Sequence, residues 1–157
     1  MGVLEEVFNS KKFDLNDDVL MEFNDYFDNK NRDYNGFSLD EKDDILALRT
    51  FAEEIRHIDS NSTIYVCTYG YEITNSKGQK STYADALWID TVLPIPKIEE
   101  LIEKSGVVEP SDISFLKDCV EIGNGNIWIV KQEKQNPQII ELTDHKQINR
   151  MIILYWD

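Results

Sequence analysis

Residues 62–74, STIYVCTYGYEIT, decide the fold class, because β-branched and aromatic residues are concentrated there and alternate with a period of two. The turn-forming sequence NSKGQ follows at residues 75–79, and KSTYADALWIDT at residues 80–91 has the composition of a returning strand. The two segments therefore predict a β-hairpin. One face of its first strand is expected to carry Tyr65, Cys67, Tyr69, Tyr71 and Ile73.

The segment after this hairpin predicts one or two short helices and then further strands. Pro94 and Pro96 interrupt the chain before an amphipathic stretch, KIEELIEKSG, which Gly106 closes at its C-terminal side. A second helical turn is expected from Ser111, in SDISFLKDCV. The later sequences NIWIVKQE, PQIIELTD and INRMIILYWD are typical of strands, and GNGN at residues 123–126 is typical of a hairpin turn. The run at residues 151–156 is apolar throughout, which predicts a strand with both faces covered.

The first third of the chain predicts two helices. In FDLNDDVLMEFNDYFDNK, residues 13–30, an apolar stripe recurs at spacings of three, four and seven and consists of Val19, Leu20, Phe23 and Phe27. The second helix is expected in LDEKDDILALRTFAEEIRHID, residues 39–59, with a stripe of Ile45, Leu48, Ala52 and Ile55. The sequence therefore predicts an α+β fold of one domain, residues 1–157. Two N-terminal helices (helical region 1–59) precede a mostly antiparallel sheet with one or two short crossing helices (sheet-rich region 60–157).

The loop between the two predicted helices, NRDYNGFSLDEK at residues 31–42, resembles an EF-hand calcium loop over its first six positions. The twelfth position of such a loop is a bidentate Glu, and here it is Lys42, whose positive charge opposes a bound cation. The favoured interpretation is a turn at Asn35-Gly36 followed by a capping box formed by Ser38 and Glu41. No metal site and no cofactor are predicted.

The composition places the chain among acidic, cysteine-poor proteins. Thirty acidic residues against sixteen basic ones give a net charge of −14, and residues 1–59 alone contribute −9 of it. Such a field repels nucleic acids and anionic membranes and attracts a basic partner, although acidity also serves solubility. The longest apolar run is far shorter than the roughly 20 residues of a bilayer crossing, and the N-terminus has no secretory pattern. Cys67 and Cys119 form no C-x-x-C motif, so reduced thiols in a cytoplasmic protein are expected.

Catalytic motifs are absent from the sequence. Asp85 and Asp90 lie five positions apart on one predicted strand, so they are expected on opposite faces. His57 and His145 belong to no metal-binding pattern, and neither cysteine has a neighbouring histidine that would lower its pKa. The sequence therefore predicts a protein that is not an enzyme.

The predicted binding surface is the acidic side of the helical region. Asp18, Glu22 and Asp25 would share one helix face, although an ordinary amphipathic helix also turns such a face to water. Complementary charge speeds association, and tight binding also needs aromatic anchors. The predicted partner-binding residues are Asp17, Asp18, Glu22, Asp25, Tyr26, Asp28, Tyr34, Phe37, Asp40, Asp43 and Asp44.

In whole-chain character the protein resembles small acidic bacterial toxin-immunity proteins. Residues 123–146, GNGNIWIVKQEKQNPQIIELTDHK, are similar to the C-terminal part of the SMI1/KNR4-like immunity superfamily. Residues 64–90 resemble the opening strands of acidic antirestriction proteins that mimic DNA. The first resemblance implies a non-enzymatic immunity protein that binds a cognate, basic, nuclease-type toxin domain one-to-one in the cytoplasm. The second implies an alternative, a DNA-mimicking inhibitor of a restriction or nucleic-acid-binding protein. An enzyme or metal-binding module is the third class considered.

Overall fold

A mixed β-sheet forms the centre of the protein in the computed structural model, which describes residues 2–119, 125–132 and 136–157. Within these residues the strands are β1 (Asp18–Glu22), β2 (Asn35–Phe37), β3 (Thr63–Tyr69), β4 (Ile73–Thr74), β5 (Lys80–Asp90), β6 (Asp112–Phe115), β7 (Ile127–Lys131), β8 (Gln138–Glu141) and β9 (Met151–Tyr155). The α-helices are α1 (Val3–Ser10), α2 (Phe23–Tyr26), α3 (Lys42–Ile58), α4 (Ile95–Ser105) and α5 (His145–Arg150). Single turns of 3-10 helix occur at Asn29–Asn31 and Leu116–Asp118. The prediction of an α+β fold is confirmed.

The strands follow the order β6-β9-β5-β3-β1-β7-β8, and β2 and β4 both pair with β5. The pairing is antiparallel except between β1 and β7 and between β2 and β5. The predicted antiparallel pairing is confirmed, since β3 and β5 are neighbours, but the first strand is interrupted after Tyr69. The turn at residues 75–79, whose Gly78 has a φ of 79°, connects the short strand β4 to β5.

The predicted order of helices and strands is wrong, because the chain begins with the short helix α1 and then enters the sheet as β1. Residues 13–30 do not form one helix. Val19, Leu20 and Met21 are consecutive and fully buried, since β1 lies between β3 and β7 with both of its faces covered. A short apolar run of this kind fits a helical stripe and a buried strand equally well, and only the neighbouring strands distinguish them.

The predicted turn at Asn35-Gly36 is also wrong, since these residues belong to β2 and run parallel to β5. A Cβ atom at Gly36 would lie 3.0 Å from the carbonyl oxygen of Thr82, so the close approach of the two strands favours glycine. The Ser38 N–H extends this pairing by donating to the Ala84 carbonyl at 2.8 Å. Helix α3 then begins at Lys42 without a side-chain cap, so the predicted capping box does not form.

In the C-terminal half, α4, β7, β8 and β9 match their predictions, whereas the segment from Ser111 does not, and residues 148–150 of the last predicted strand belong to α5. Helix α4 ends at Gly106, which has a φ of 75° and takes the left-handed conformation that glycine favours. Strand β9 is buried on both faces as expected, and β7 and β8 form an antiparallel pair. The helix expected from Ser111 is instead β6 followed by one 3-10 turn. Residues 123 and 124 of the predicted GNGN turn lie outside the described residues.

The two faces of the sheet carry separate hydrophobic clusters. The first face packs against α1, α2, α3 and α4 through residues such as Leu4, Phe23, Phe51 and Ile98. The second face carries Leu20, Trp88 and Ile153 and is covered by the 3-10 turn that contains Leu116 and by α5. This second cover is partial, so one end of the face remains open. Among the described residues, no helix combines the length and the apolar composition that a membrane crossing requires.

Candidate functional site

A groove of about 760 Å³ occupies the open end of the second sheet face. It crosses strands β6, β9, β5, β3 and β1, whose register places Asp112, Tyr155, Ala86 and Cys67 in one row. Ala86 and Cys67 are small residues at the middle of this row, and larger side chains line the groove beside them, including Tyr69, Trp88 and Tyr155. The depression therefore follows from side-chain size on a twisted sheet.

Asp85 enters the groove because of a β-bulge. Cys67 pairs with Ala86 and the next residue, Thr68, pairs with Ala84, so Asp85 is the extra residue of β5. A bulge shifts the alternation of side chains by one position and can redirect a side chain. Asp85 consequently lines the same groove as Ala86 and Trp88. Asp90 also lies on this second face, where Arg150 of α5 pairs with it, so the expectation of opposite faces for Asp85 and Asp90 is wrong.

The groove is acidic and has no compensating cation of its own. Four carboxylates line it, those of Asp18, Asp85, Asp112 and Asp118, and no lysine or arginine is among the lining residues of the described part of the chain. Asp112 also accepts a hydrogen bond from the Ser114 hydroxyl at 3.2 Å. The arrangement therefore presents a local excess of negative charge in a concave site.

Asp18 and Asp85 have pKa values above their ordinary range. Burial raises the pKa of Asp18 to about 6, against the effects of a hydrogen bond from the Cys67 thiol, and the Asp17 carboxylate raises it further. Burial also raises the pKa of Asp85, although the Tyr69 hydroxyl opposes this by donating a hydrogen bond to the carboxylate at 2.7 Å. Raised carboxylate pKa values without a paired cation are typical of sites that bind a cation or exchange a proton.

Three tyrosine rings stand together at the rim of the groove. The Tyr69 ring stacks with Tyr71 at a centroid distance of 5.7 Å and with Tyr83 at 6.3 Å. Tyr69 and Tyr71 are each exposed by more than 40%. Stacking holds the Tyr69 ring in place, and its hydroxyl group in turn orients the carboxylate of Asp85.

Both cysteines border this groove as free thiols. The Cys67 thiol lies 3.8 Å from a carboxylate oxygen of Asp18, and burial raises its pKa well above the ordinary value. The Cys119 thiol lies 3.2 Å from the Ser114 hydroxyl. A thiol whose pKa is raised is a poor nucleophile at neutral pH, so Cys67 contributes to the groove as a small, weakly polar side chain.

Of the predicted partner-binding acids, Asp18 alone lines the groove. Asp17 is buried and accepts hydrogen bonds from the backbone N–H groups of Asp14 and Asn126 and from the Trp128 indole. Burial raises the pKa of Asp17, but these bonds outweigh it, so the pKa lies below the ordinary value. The others are dispersed. Glu22 ends β1, Asp25 lies in α2, Asp28 caps the first 3-10 turn, Asp40 precedes α3, and Asp43 and Asp44 lie in its first turn.

The predicted aromatic anchors belong to the core. Tyr26 is 0% exposed, Tyr34 is 5% exposed and Phe37 is 6% exposed. The Tyr26 hydroxyl donates to the Gly36 carbonyl, and the Tyr34 hydroxyl donates to the Glu72 carboxylate at 2.6 Å. The expectation that these three rings are displayed to a partner is therefore wrong, because they are already packed.

The first residue of the loop at residues 31–42 uses its polar groups inside the fold. The Asn31 side chain is 1% exposed, accepts a hydrogen bond from the Val3 N–H, and donates to the Asp25 carbonyl and the Gln132 side chain. Across residues 2–119, 125–132 and 136–157, no group of three or more histidine, cysteine or acidic side chains is placed to hold a metal ion.

Sequence reasoning missed most of the groove. Asp112 and Asp118 lie in a segment that was expected to be helical, and Asp85 was expected on the face opposite to that of Asp90. One signal was present, because Cys67 and Tyr69 were correctly assigned to one face of β3, where a small residue lies next to an aromatic one. The acidic residues of the groove lie on other elements of the chain, so this signal alone did not reveal them.

Comparison of the chain with models of protein families, with curated proteins and with solved structures found no match.

Proposed function

We propose that the protein is a non-enzymatic immunity protein that binds and neutralises a cognate, basic toxin domain of bacterial origin, of nuclease type, in the cytoplasm. The observation that carries this proposal is the acidic groove, whose carboxylates form no ion pair with any of the described residues. A groove that lacks its own cations is suited to receive one from another molecule.

Internal ion pairing consumes little of the acidity. Among the described residues, ion pairs involve only the carboxylates of Glu54, Asp90 and Glu100. The net charge of −14 is thus left largely to the surface and the groove. A field of this kind raises the rate at which a basic protein arrives and disfavours acidic competitors.

The groove also provides aromatic contact surface in addition to negative charge. Interfaces take most of their affinity from a few desolvated aromatic or arginine contacts, while exposed charges mainly affect association rate. Tyr69, which is exposed, and Tyr155, which is half-buried, line the groove beside Asp18 and Asp85, which combines anchoring surface with electrostatic attraction. This combination replaces the acidic helix face that the sequence suggested.

Concavity favours the immunity proposal over DNA mimicry. A mimic of DNA inserts its own acidic surface into the cationic cleft of its target, whereas this groove receives a group that protrudes from the partner. The acids that were expected to form such an insert, Asp18, Glu22 and Asp25, lie on a strand and a short helix and do not share one exposed helical face.

The proposal predicts a gene for a toxin domain beside this gene, and the test is growth rescue when that domain is expressed in a bacterial host with or without the protein. Wild type should restore growth, and Asp85→Asn/Asp112→Asn should bind the toxin at least about tenfold more weakly, since two charges leave the groove. Glu99→Gln/Glu103→Gln is the matched control, because it removes the same charge from exposed positions of α4.

The control variant should keep rescue and should change the dissociation constant less than about twofold. Failure of the wild-type protein to rescue growth from its neighbouring toxin would refute the proposal. Equal loss in both double variants would show that total charge matters and that the groove does not.

A further inference from the structure

Two carboxylates flank a single fixed ring inside the groove. Tyr69 on β3 lies opposite Asp18 on β1 in the strand register and donates its hydroxyl to Asp85 on β5 at 2.7 Å. The ring itself is held by stacking with Tyr71 and Tyr83. Asp18 and Asp85 therefore approach the groove from the two strands on either side of β3, and neither is paired with a cation among the described residues.

We infer that the groove recognises the guanidinium group of an arginine side chain carried by a protein partner, with Asp18 and Asp85 as its acceptors. This inference rests on the proposed function and names the group by which the partner is held. The carboxylate acceptors, the aromatic lining and the negative charge of the groove all favour a planar, cationic guanidinium.

Arginine fits the groove better than lysine for three physical reasons. A guanidinium presents five N–H donors in one plane, so it can serve carboxylates on two sides at once, whereas an ammonium is a point charge. It is more weakly hydrated, so it loses less on entering a site that is partly lined by Trp88, Ala86 and Ile153. It also stacks on aromatic faces, and the half-buried ring of Tyr155 lines the same groove.

The groove is organised before any partner arrives. The bulge at Asp85 fixes the backbone of one acceptor, and the tyrosine stack fixes the hydroxyl that orients it. The volume of about 760 Å³ exceeds what one side chain needs, so flanking residues of the partner chain also have room. A prepared site of this kind loses little conformational freedom on binding.

The inference is tested by titrating the purified full-length protein with N-acetyl-arginine amide and, separately, with N-acetyl-lysine amide, followed by two-dimensional NMR. The arginine derivative should shift the signals of Tyr69, Asp85 and Trp88 with a dissociation constant of about 1 mM, a value typical of so small a ligand. The lysine derivative carries the same charge and should bind at least about fivefold more weakly.

Asp85→Asn should weaken arginine binding at least about fivefold, and Glu99→Gln should leave it unchanged. Tyr69→Phe is the second variant if Asp85→Asn does not fold, and the loss of the orienting hydroxyl should weaken binding about two- to threefold. Equal responses to arginine and lysine, shifts spread over the acidic surface, or unchanged binding in these variants would each overturn the inference.

The outcome separates this inference from the proposed function. Rescue from the toxin together with no arginine preference would refute arginine recognition and leave the immunity role in place. Selective arginine binding by a protein that rescues growth from no toxin would support arginine recognition and refute the immunity role.

Discussion

The hydroxyl group of Tyr69 donates a hydrogen bond to the Asp85 carboxylate at 2.7 Å, which joins β3 to the bulge of β5 at the rim of an acidic groove. The bond links an exposed aromatic stack to one of the four carboxylates that line the groove, where the described part of the chain places no lysine or arginine. The interaction opposes the rise in the pKa of Asp85 that burial causes, so it favours the charged form of the carboxylate and orients it.

Tyr69→Phe should raise the pKa of Asp85 further, because the donor that favours the charged form is removed while the burial remains. The ring and its stacking are kept, so the free energy of unfolding should change by less than about 1 kcal/mol. Carboxyl-carbon NMR titrations of the two proteins measure the pKa. An unchanged or lower value in the variant would contradict the assigned bond.

Asp18→Asn should make the protein more stable at neutral pH. The pKa of Asp18 is raised from 3.8 to about 6, so its contribution to stability is fully present below pH 3.8 and is lost as the pH rises through about 6. The variant has no such loss and should gain about 1–2 kcal/mol at pH 7.5, less than the full linkage value because the carboxylate borders solvent. Near pH 4 the two proteins should differ little.

Urea denaturation at pH 4 and pH 7.5 measures this difference. Asp40→Asn is the control, since Asp40 is exposed and lies outside the groove. A gain that is the same at both pH values, or that also appears in the control, would show that charge at Asp18 is not its source.

Asp17→Asn should destabilise the fold by about 1–3 kcal/mol, since its carboxylate accepts three hydrogen bonds, two of which, from Asn126 and Trp128, join the segment before β1 to the start of β7. An amide in its place has one acceptor oxygen and no charge. Because the pKa of Asp17 is lowered, the wild-type advantage should be present above pH 3.8 and should shrink as the pH falls through the lowered value.

Denaturation midpoints between pH 2.5 and pH 7 check this sign, and Asp14→Asn, an exposed neighbour, is the matched control. If the variant were as stable as wild type at pH 7, the structural role assigned to the Asp17 carboxylate would be wrong.

Tyr26→Phe should cost about 1–2 kcal/mol, because the buried hydroxyl that donates to the Gly36 carbonyl is lost and that acceptor is left without this partner. Toxin binding should be unchanged, since Tyr26 is 0% exposed and cannot touch a partner. Thermal unfolding and the dissociation constant are measured on the same samples. If Tyr26→Phe lost toxin binding but was as stable as wild type, Tyr26 would belong to the interface after all.

Local patterns in the sequence predicted a substantial part of the fold. The alternation in residues 62–74 predicted β3, the stripe in residues 39–59 predicted α3, and Gly106 predicted the end of α4. These features depend on contacts between residues close in sequence. Residues 13–30 were misassigned because Val19, Leu20 and Met21 form a run that suits either a helix or a buried strand, and β3 and β7 decide between them.

The sequence by itself determined the acidity of this protein, its α+β class and the face on which Cys67 and Tyr69 lie together. Only the tertiary structure decided which carboxylates converge. Asp18, Asp85 and Asp112 come from strands far apart along the chain, and the bulge that turns Asp85 into the groove exists only in the register between β5 and β3. Side-chain alternation is a local property of one strand, whereas the identity and register of its neighbours are set by long-range packing.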